Sequence, residues 1–302
     1  MKNTTIIVSG FVIIGLIIGI YFFTKDSSDL VVTDNTVTST DLTATSTDQV
    51  TTPVYEKQTI IGSSLEKRDI VAYNYGTGEK NILFVGGIHG GYEWNTSLLA
   101  YELMDYLEAN PNLIPQGIKV TIIPVLNPDG LNKVVGTAGR FAATDVSNSA
   151  ETVIEGRFNS RGVDLNRNFD CGWQADGVWQ KMKVSGGSQV FSEPESQAIK
   201  NYVTAKKPSA VVVWYSAAGG VFSSNCQQGI LPETSALTNA YASASGYKPY
   251  ESFDFYETSG DMVNWLAKEK IPAISVILTD HQNTEWSKNL AGIKALLNYY
   301  SK

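Results

Sequence analysis

From residue 54 onward, short runs of Val and Ile alternate with longer amphipathic stretches. The segments 70–75, 82–86, 119–125, 210–215 and 273–278 are nearly continuous in apolar character, as strands buried on both faces are. Between them, 94–109 carries Leu98, Leu99, Leu103, Met104 and Leu107 at helical spacing, and 261–270 and 285–300 repeat that period. Ser192-Glu193-Pro194-Glu195 reads as a capping box opening a further helix, with Pro194 tolerated in the first turn. Strands alternating with helices predict an α/β sandwich around a mostly parallel or mixed sheet.

Residues 1–53 break this pattern. Nineteen residues from Thr5 to Phe23 carry no charge; as a helix they would span about 28 Å, against a hydrocarbon core of about 30 Å. That predicts one transmembrane helix within an N-terminal anchor at 1–25. Lys2 precedes the run, and Asp26, Asp29 and Asp34 follow Lys25, a bias that leaves the main domain extracytoplasmic. A cleaved signal peptide is the other reading; Tyr21-Phe22-Phe23-Thr24-Lys25 offers no small-x-small cleavage pair, which favours the anchor. Residues 26–53, almost wholly Thr, Ser, Asp and Val, are too poor in apolar surface to offset chain entropy and predict a disordered stalk. The remaining 54–302 is long enough for one large domain and shows no internal repeat.

Charge and composition narrow the partners. A formal net charge of −7 without a basic stripe excludes nucleic acid. Against this acidic background, Gly156–Asp170 reads GRFNSRGVDLNRNFD and sets Arg157, Asn166 and Arg167 around a short apolar stretch. A guanidinium fork matches two carboxylate oxygens and a neighbouring amide adds a donor, so Asn166 and Arg167 suit an anionic end group. A surface ion-pair network is the alternative on composition alone.

The wording of the run is more specific than its composition. Gly156-Arg157-Phe158-Asn159 followed by Gly162-Val163-Asp164-Leu165-Asn166-Arg167-Asn168-Phe169 resembles the substrate-carboxylate motif of the zinc metallocarboxypeptidases, the carboxypeptidase A-like family. Other pieces recur in the family's order: Gly86-Gly87-Ile88-His89 after a strand, Pro124 to Gly130, Tyr256-Glu257-Thr258-Ser259-Gly260 ahead of Trp265, and Ile271 to Val276. The resemblance covers roughly residues 55 to 302. It implies a three-layer α/β sandwich, a twisted mixed sheet of about eight strands with helices on both faces and a site at the strand ends. It also brings Cys171 and Cys226 to the same end of the sheet. In an extracytoplasmic domain a disulfide is the natural reading of that pair, with two buried thiols as the alternative.

Carried over residue by residue, the family's site is only partly present. The resemblance implies zinc held by His89 and Glu93, with one residue more between them than the family's His-x-x-Glu; the Gly90-Gly91 turn can absorb it. A third ligand, a histidine, belongs at the position of Tyr215, and the general-base glutamate at that of Ile277. Substrate-reading positions are kept: Asn166 and Arg167 for the C-terminal carboxylate, Arg157 to polarise the scissile carbonyl, Tyr256 to close over the bound residue and Val263 to read its side chain. Asp261 could instead read an amine. His281, the second of only two histidines, lies about 13 Å of extended chain beyond Ile277 and is expected to be a loop residue. Losing a positioned base costs about 10²- to 10⁴-fold in rate. The expectation is therefore a membrane-anchored zinc metallocarboxypeptidase-family protein that recognises the C-terminal carboxylate of extracytoplasmic peptides with impaired or lost hydrolysis. The alternative is an active zinc carboxypeptidase, acting for instance on cell-wall peptides, with a site rebuilt around Tyr215 or Asp280.

Overall fold

In the computed structural model, which describes residues 56–302, the apolar runs pair edge to edge. The strands are β1 (Gln58–Ser63), β2 (Asp69–Tyr75), β3 (Lys80–Val85), β4 (Ile118–Ile123), β5 (Asp176–Trp179), β6 (Met182–Ser185), β7 (Ala210–Ser216), β8 (Gly220–Ser223), β9 (Lys248–Tyr250) and β10 (Ala273–Leu278). Eight of them form one mixed sheet in the order β1-β2-β4-β3-β7-β10-β8-β9, while β5 and β6 make a separate hairpin. The central strands β4, β3, β7 and β10 are parallel, and antiparallel pairings join them to β2 and β8. The helices are α1 (Trp94–Ala109), α2 (Pro128–Val135), α3 (Ala150–Glu155), α4 (Pro194–Lys206), α5 (Pro232–Ser245), α6 (Met262–Lys268) and α7 (Trp286–Tyr300).

Central parallel strands must be covered on both faces, which is why they read as unbroken Val and Ile. Alternation along each strand then divides the core in two. Phe84, Val212, Trp214, Ile274 and Val276 face one layer with Leu99 and Leu103 of α1, Leu237 of α5 and Leu296 of α7. Leu83, Val85, Val211, Val213 and Ile277 face the other with Ile199 and Val203 of α4 and Leu266 of α6. This is the mixed eight-stranded sandwich that the resemblance implied, and each predicted strand and helix lies within two residues of its expected ends.

Two expectations change. The capping box at Ser192 does not form: Glu193 is the N-cap of α4, without a side-chain cap. Its carboxylate is drawn instead to Asn159 and Arg161, and its backbone N–H donates to Asn168 Oδ1. Tertiary partners outcompete the local cap. The anchor and stalk expected at 1–53 lie outside the described residues, among which no helix is long and apolar enough to cross a membrane.

Cys171, just past the GVDLNRNFD run, and Cys226, just past β8, are joined, with Cα atoms 6.0 Å apart. The link ties the segment bearing Asn166 and Arg167 to the strand end beside it. In the chain-entropy description, closing a loop of this length contributes about 4 kcal/mol. Replacing both cysteines by serine should lower unfolding free energy by roughly that amount, read as a lower denaturant midpoint. Equal midpoints would show that the link adds nothing.

Candidate active site

One cavity of about 480 Å³ opens at the ends of the central strands. It is lined by the nine positions to which the resemblance assigned the family's site: His89, Glu93, Arg157, Asn166, Arg167, Tyr215, Tyr256, Val263 and Ile277. Register explains part of this convergence. Ile277 on β10 lies directly opposite Tyr215 on the parallel β7, and both side chains fall on the same face of the sheet. His89 follows the neighbouring β3 by four residues.

Gly90 makes the His89–Glu93 spacing workable. It takes a left-handed conformation at φ +45, and a Cβ there would lie 2.6 Å from Gly156 O. The chain then winds through a 3₁₀ turn, Gly90–Glu93, that runs into α1. As a result His89 Nδ1 and Glu93 Oε1 meet at 2.9 Å, both side chains buried. His89 Nε2 lies 3.3 Å from Asp164 Oδ1. Short as these distances are, among the described residues neither ring nitrogen makes a well-aligned hydrogen bond and Glu93 Oε2 has no hydrogen-bond partner.

Asp164 is the hub beneath the cavity. Its Oδ2 accepts from Arg157 Nε at 3.0 Å and from a terminal nitrogen at 2.8 Å, while Oδ1 accepts from Asn166 N–H at 3.0 Å. Burial opposes its charge, yet Arg157 and then His89 hold its carboxyl well below the usual carboxylate range. Arg157 is thus oriented rather than free, and its guanidinium lies 4.2 Å over the Trp179 ring.

Arg167 is different. It is 1% exposed and held by main-chain oxygens alone: Nε and one terminal nitrogen donate to Val178 O, the other terminal nitrogen to Asn166 O. Among the described residues it forms no ion pair. Asn166 Oδ1 accepts from Met262 N–H and from the Tyr215 hydroxyl, which fixes the amide beside it. Gly260, at φ +64, permits this close packing, since a Cβ there would sit 2.6 Å from Arg167 O.

These residues do not make a complete zinc site. A catalytic zinc takes three protein ligands and an open position. His89 and Glu93 offer two converging donors. At the third position burial, then Asp261 and Glu93, push the Tyr215 phenol well above its ordinary value, so it is a neutral hydroxyl engaged with Asn166. Among the described residues no three His, Cys, Asp or Glu side chains gather as a metal-binding group.

Other expectations are corrected or extended. Asp280 does not line the cavity; its carboxylate is turned to Gln282 N–H and Asn283. Asp261 lines it but caps α6, accepting from Asn264 N–H and Nδ2, and burial raises its carboxyl. His281 is a loop residue as expected, yet the loop folds back and places its ring in the cavity wall, where Nδ1 is 2.8 Å from Ser216 Oγ. Sequence reasoning missed this, as it missed the role of Asp164, Tyr92 and Trp179. A carboxylate three residues before Arg167 and seven after Arg157 was the available signal for Asp164.

Fold and cavity together define an α/β protein whose site opens at the ends of parallel strands. The zinc carboxypeptidase profile of peptidase family M14 matches residues 49–290, and the chain belongs to that family. It is 25% identical over 218 residues to γ-D-glutamyl-L-diamino acid endopeptidase 1 of Lysinibacillus sphaericus, covering 66% of this chain and 54% of that protein. Mouse carboxypeptidase Z is 26% identical over 251 residues, covering 79% of this chain and 36% of its own. The chain thus spans about half or less of these curated relatives. Among solved structures, thrombin activatable fibrinolysis inhibitor superposes with a TM-score of 0.64 at 18% identity, covering 81% of this chain and 69% of its own. Murein-tripeptide amidase MpaA from Escherichia coli O157 gives 0.57 at 21%, covering 80% and 92%. These structural likenesses establish a shared fold.

Removing one partner of a buried ion pair costs about 3–5 kcal/mol. Asp164→Asn should therefore destabilise the protein by about that much at pH 7, because Arg157 keeps its buried charge. Because the folded carboxyl is depressed, its stabilisation is present above the unfolded value near 3.9 and is lost as pH falls below it. The variant should accordingly show a flatter stability profile below about pH 4. Parallel acid limbs for variant and parent would contradict the assignment.

Proposed function

We propose that this protein binds the C-terminal carboxylate of peptides through Arg167 and Asn166, and that its hydrolytic chemistry is impaired or lost. The buried Arg167 guanidinium, without an ion pair among the described residues, carries the reading. A buried cation without a counter-ion is costly, so a cavity that keeps one is suited to an anion arriving from outside. Asn166 adds a neighbouring amide, and Arg157, Tyr256 and Val263 line the same cavity, which supports their assigned roles toward a peptide carbonyl and the terminal side chain. The curated similarity to an endopeptidase acting at γ-D-glutamyl-L-diamino acid bonds supports a peptide ligand, including one of cell-wall type. The uncharged run at 5–23 supports a single-pass anchor with the domain outside the cytoplasm, and a Cys171–Cys226 link suits that oxidising side.

Impairment follows from two side chains. Tyr215 supplies no imidazole, and Ile277 cannot accept a proton. An active site rebuilt around Asp280 is disfavoured because that carboxylate is spent on its own loop.

Binding of peptide acids against their C-terminal amides tests the clamp. The amide should bind more weakly by about 2–3 kcal/mol, roughly 30- to 150-fold, through loss of the charge-assisted pair with Arg167. Equal affinity would refute the clamp. The lost chemistry has its own test: Tyr215→His with Ile277→Glu should together release a C-terminal residue in a chelator-sensitive manner, while each change alone does little. Rapid chelator-sensitive turnover by the unaltered protein would instead establish an active enzyme.

A further inference from the structure

The hydrogen-bond donors around His281 can be counted, and the count fixes its tautomer. Asn95, fully buried on α1, donates both amide hydrogens to main-chain oxygens of the loop after β10, Asp280 O at 2.8 Å and Asn283 O at 3.0 Å. Its Oδ1 is therefore presented as an acceptor, and Ser216 Oγ donates its one hydrogen to it at 3.1 Å. Ser216 Oγ also lies 2.8 Å from His281 Nδ1. With the serine proton spent, that contact requires Nδ1–H as the donor. Neutral His281 then carries a bare lone pair on Nε2, at the opposite edge of the ring, where it has no hydrogen-bond partner among the described residues. The ring lies 4.6 Å from that of Tyr92 and lines the same cavity as Arg167.

The cavity otherwise presents few acceptors to a ligand: Glu93 Oε2 lacks a hydrogen-bond partner among the described residues but is itself buried. Glu93 Oε1 faces His89 and Arg157, and Asp261 is occupied by Asn264. At the position where the family places a carboxylate stands Ile277. A peptide whose end group is held by Arg167 brings N–H donors in with it, and a buried donor left unpaired is penalised. We propose that His281 Nε2, held as an acceptor by the Asn95–Ser216 relay, receives a main-chain N–H of the bound peptide. The proposal rests on the carboxylate-clamp reading for the presence of the peptide. Burial, then the nearby His89 and Arg157 against Glu93 and Asp280, keeps the imidazole below its ordinary value and so neutral at pH 7.5.

Nitrogen-15 NMR of histidine-labelled protein should show His281 as the Nδ1–H tautomer at pH 7.5, and an Nε2–H tautomer would overturn the proposal. In binding assays, His281→Phe should weaken a C-terminal peptide acid about tenfold, the loss of one hydrogen bond, and His281→Gln should recover part of that. Peptide acids N-methylated singly at the last or the preceding peptide bond identify the donor. One of them should lose about tenfold against the parent protein and nothing further against His281→Phe, the non-additivity of a direct pair. Unchanged affinity in His281→Phe, or full additivity for both methylated peptides, would overturn the proposal. Arg167→Gln separates the two readings. If it abolishes the acid-over-amide preference while His281→Phe is silent, the clamp stands and this contact fails. If Arg167→Gln is silent while the His281 and N-methyl effects couple, the contact stands and the clamp fails.

Discussion

The site depends on the buried carboxylate of Asp164. It engages Arg157 through one oxygen, stands close to His89 through the other, and uses that second oxygen to receive Asn166 N–H at the start of the turn bearing Arg167. Three functional positions on three segments are thus referenced to a single group with almost no solvent contact. In such surroundings each interaction is stronger than it would be in water, and loss of any one leaves a charge that cannot be rehydrated. The geometry of the cavity is in this sense one electrostatic cluster rather than a set of independent contacts.

Around that cluster, charge is handled in two ways. Arg157 is neutralised by its own chain, which makes it an oriented donor with little net charge to offer. Arg167 gives three of its five N–H groups to carbonyl oxygens and has no carboxylate within ion-pair distance among the described residues. The difference separates a group that positions from a group that attracts. The same difference underlies the proposal that the cavity binds peptide ends, beside the phenol of Tyr215 and the sec-butyl side chain of Ile277.

Much of this was legible in the chain. The central strands were readable because burial on both faces leaves unbroken Val and Ile, as in Val211-Val212-Val213. Arginines within an apolar run of an acidic protein marked the site, and the quoted motifs located the rest. What was not legible depends on tertiary closure. Strands β8 and β9 have only four and three residues, too few to show a period. The cap at Ser192 was lost to distant partners: Asn168, 24 residues away, engages Ser192 Oγ, and Asn159, 34 residues from Glu193, engages the Glu193 carboxylate. His281 was expected in a loop, but its place in the cavity wall was not legible because extended-chain distance ignores a loop that Asn95 draws back by its main-chain oxygens.

The way Arg167 is held has a consequence for how this protein can diverge. Two of its donors end on the carbonyl of Val178, an atom that every amino acid provides. The side chain at 178 can therefore change with little effect on the guanidinium. An insertion or deletion between β5 and β6 that shifts their pairing would move the oxygen itself. Selection on the proposed clamp would thus act on the length and register of the hairpin, and related chains could keep the same guanidinium position while sharing few residues along that ribbon.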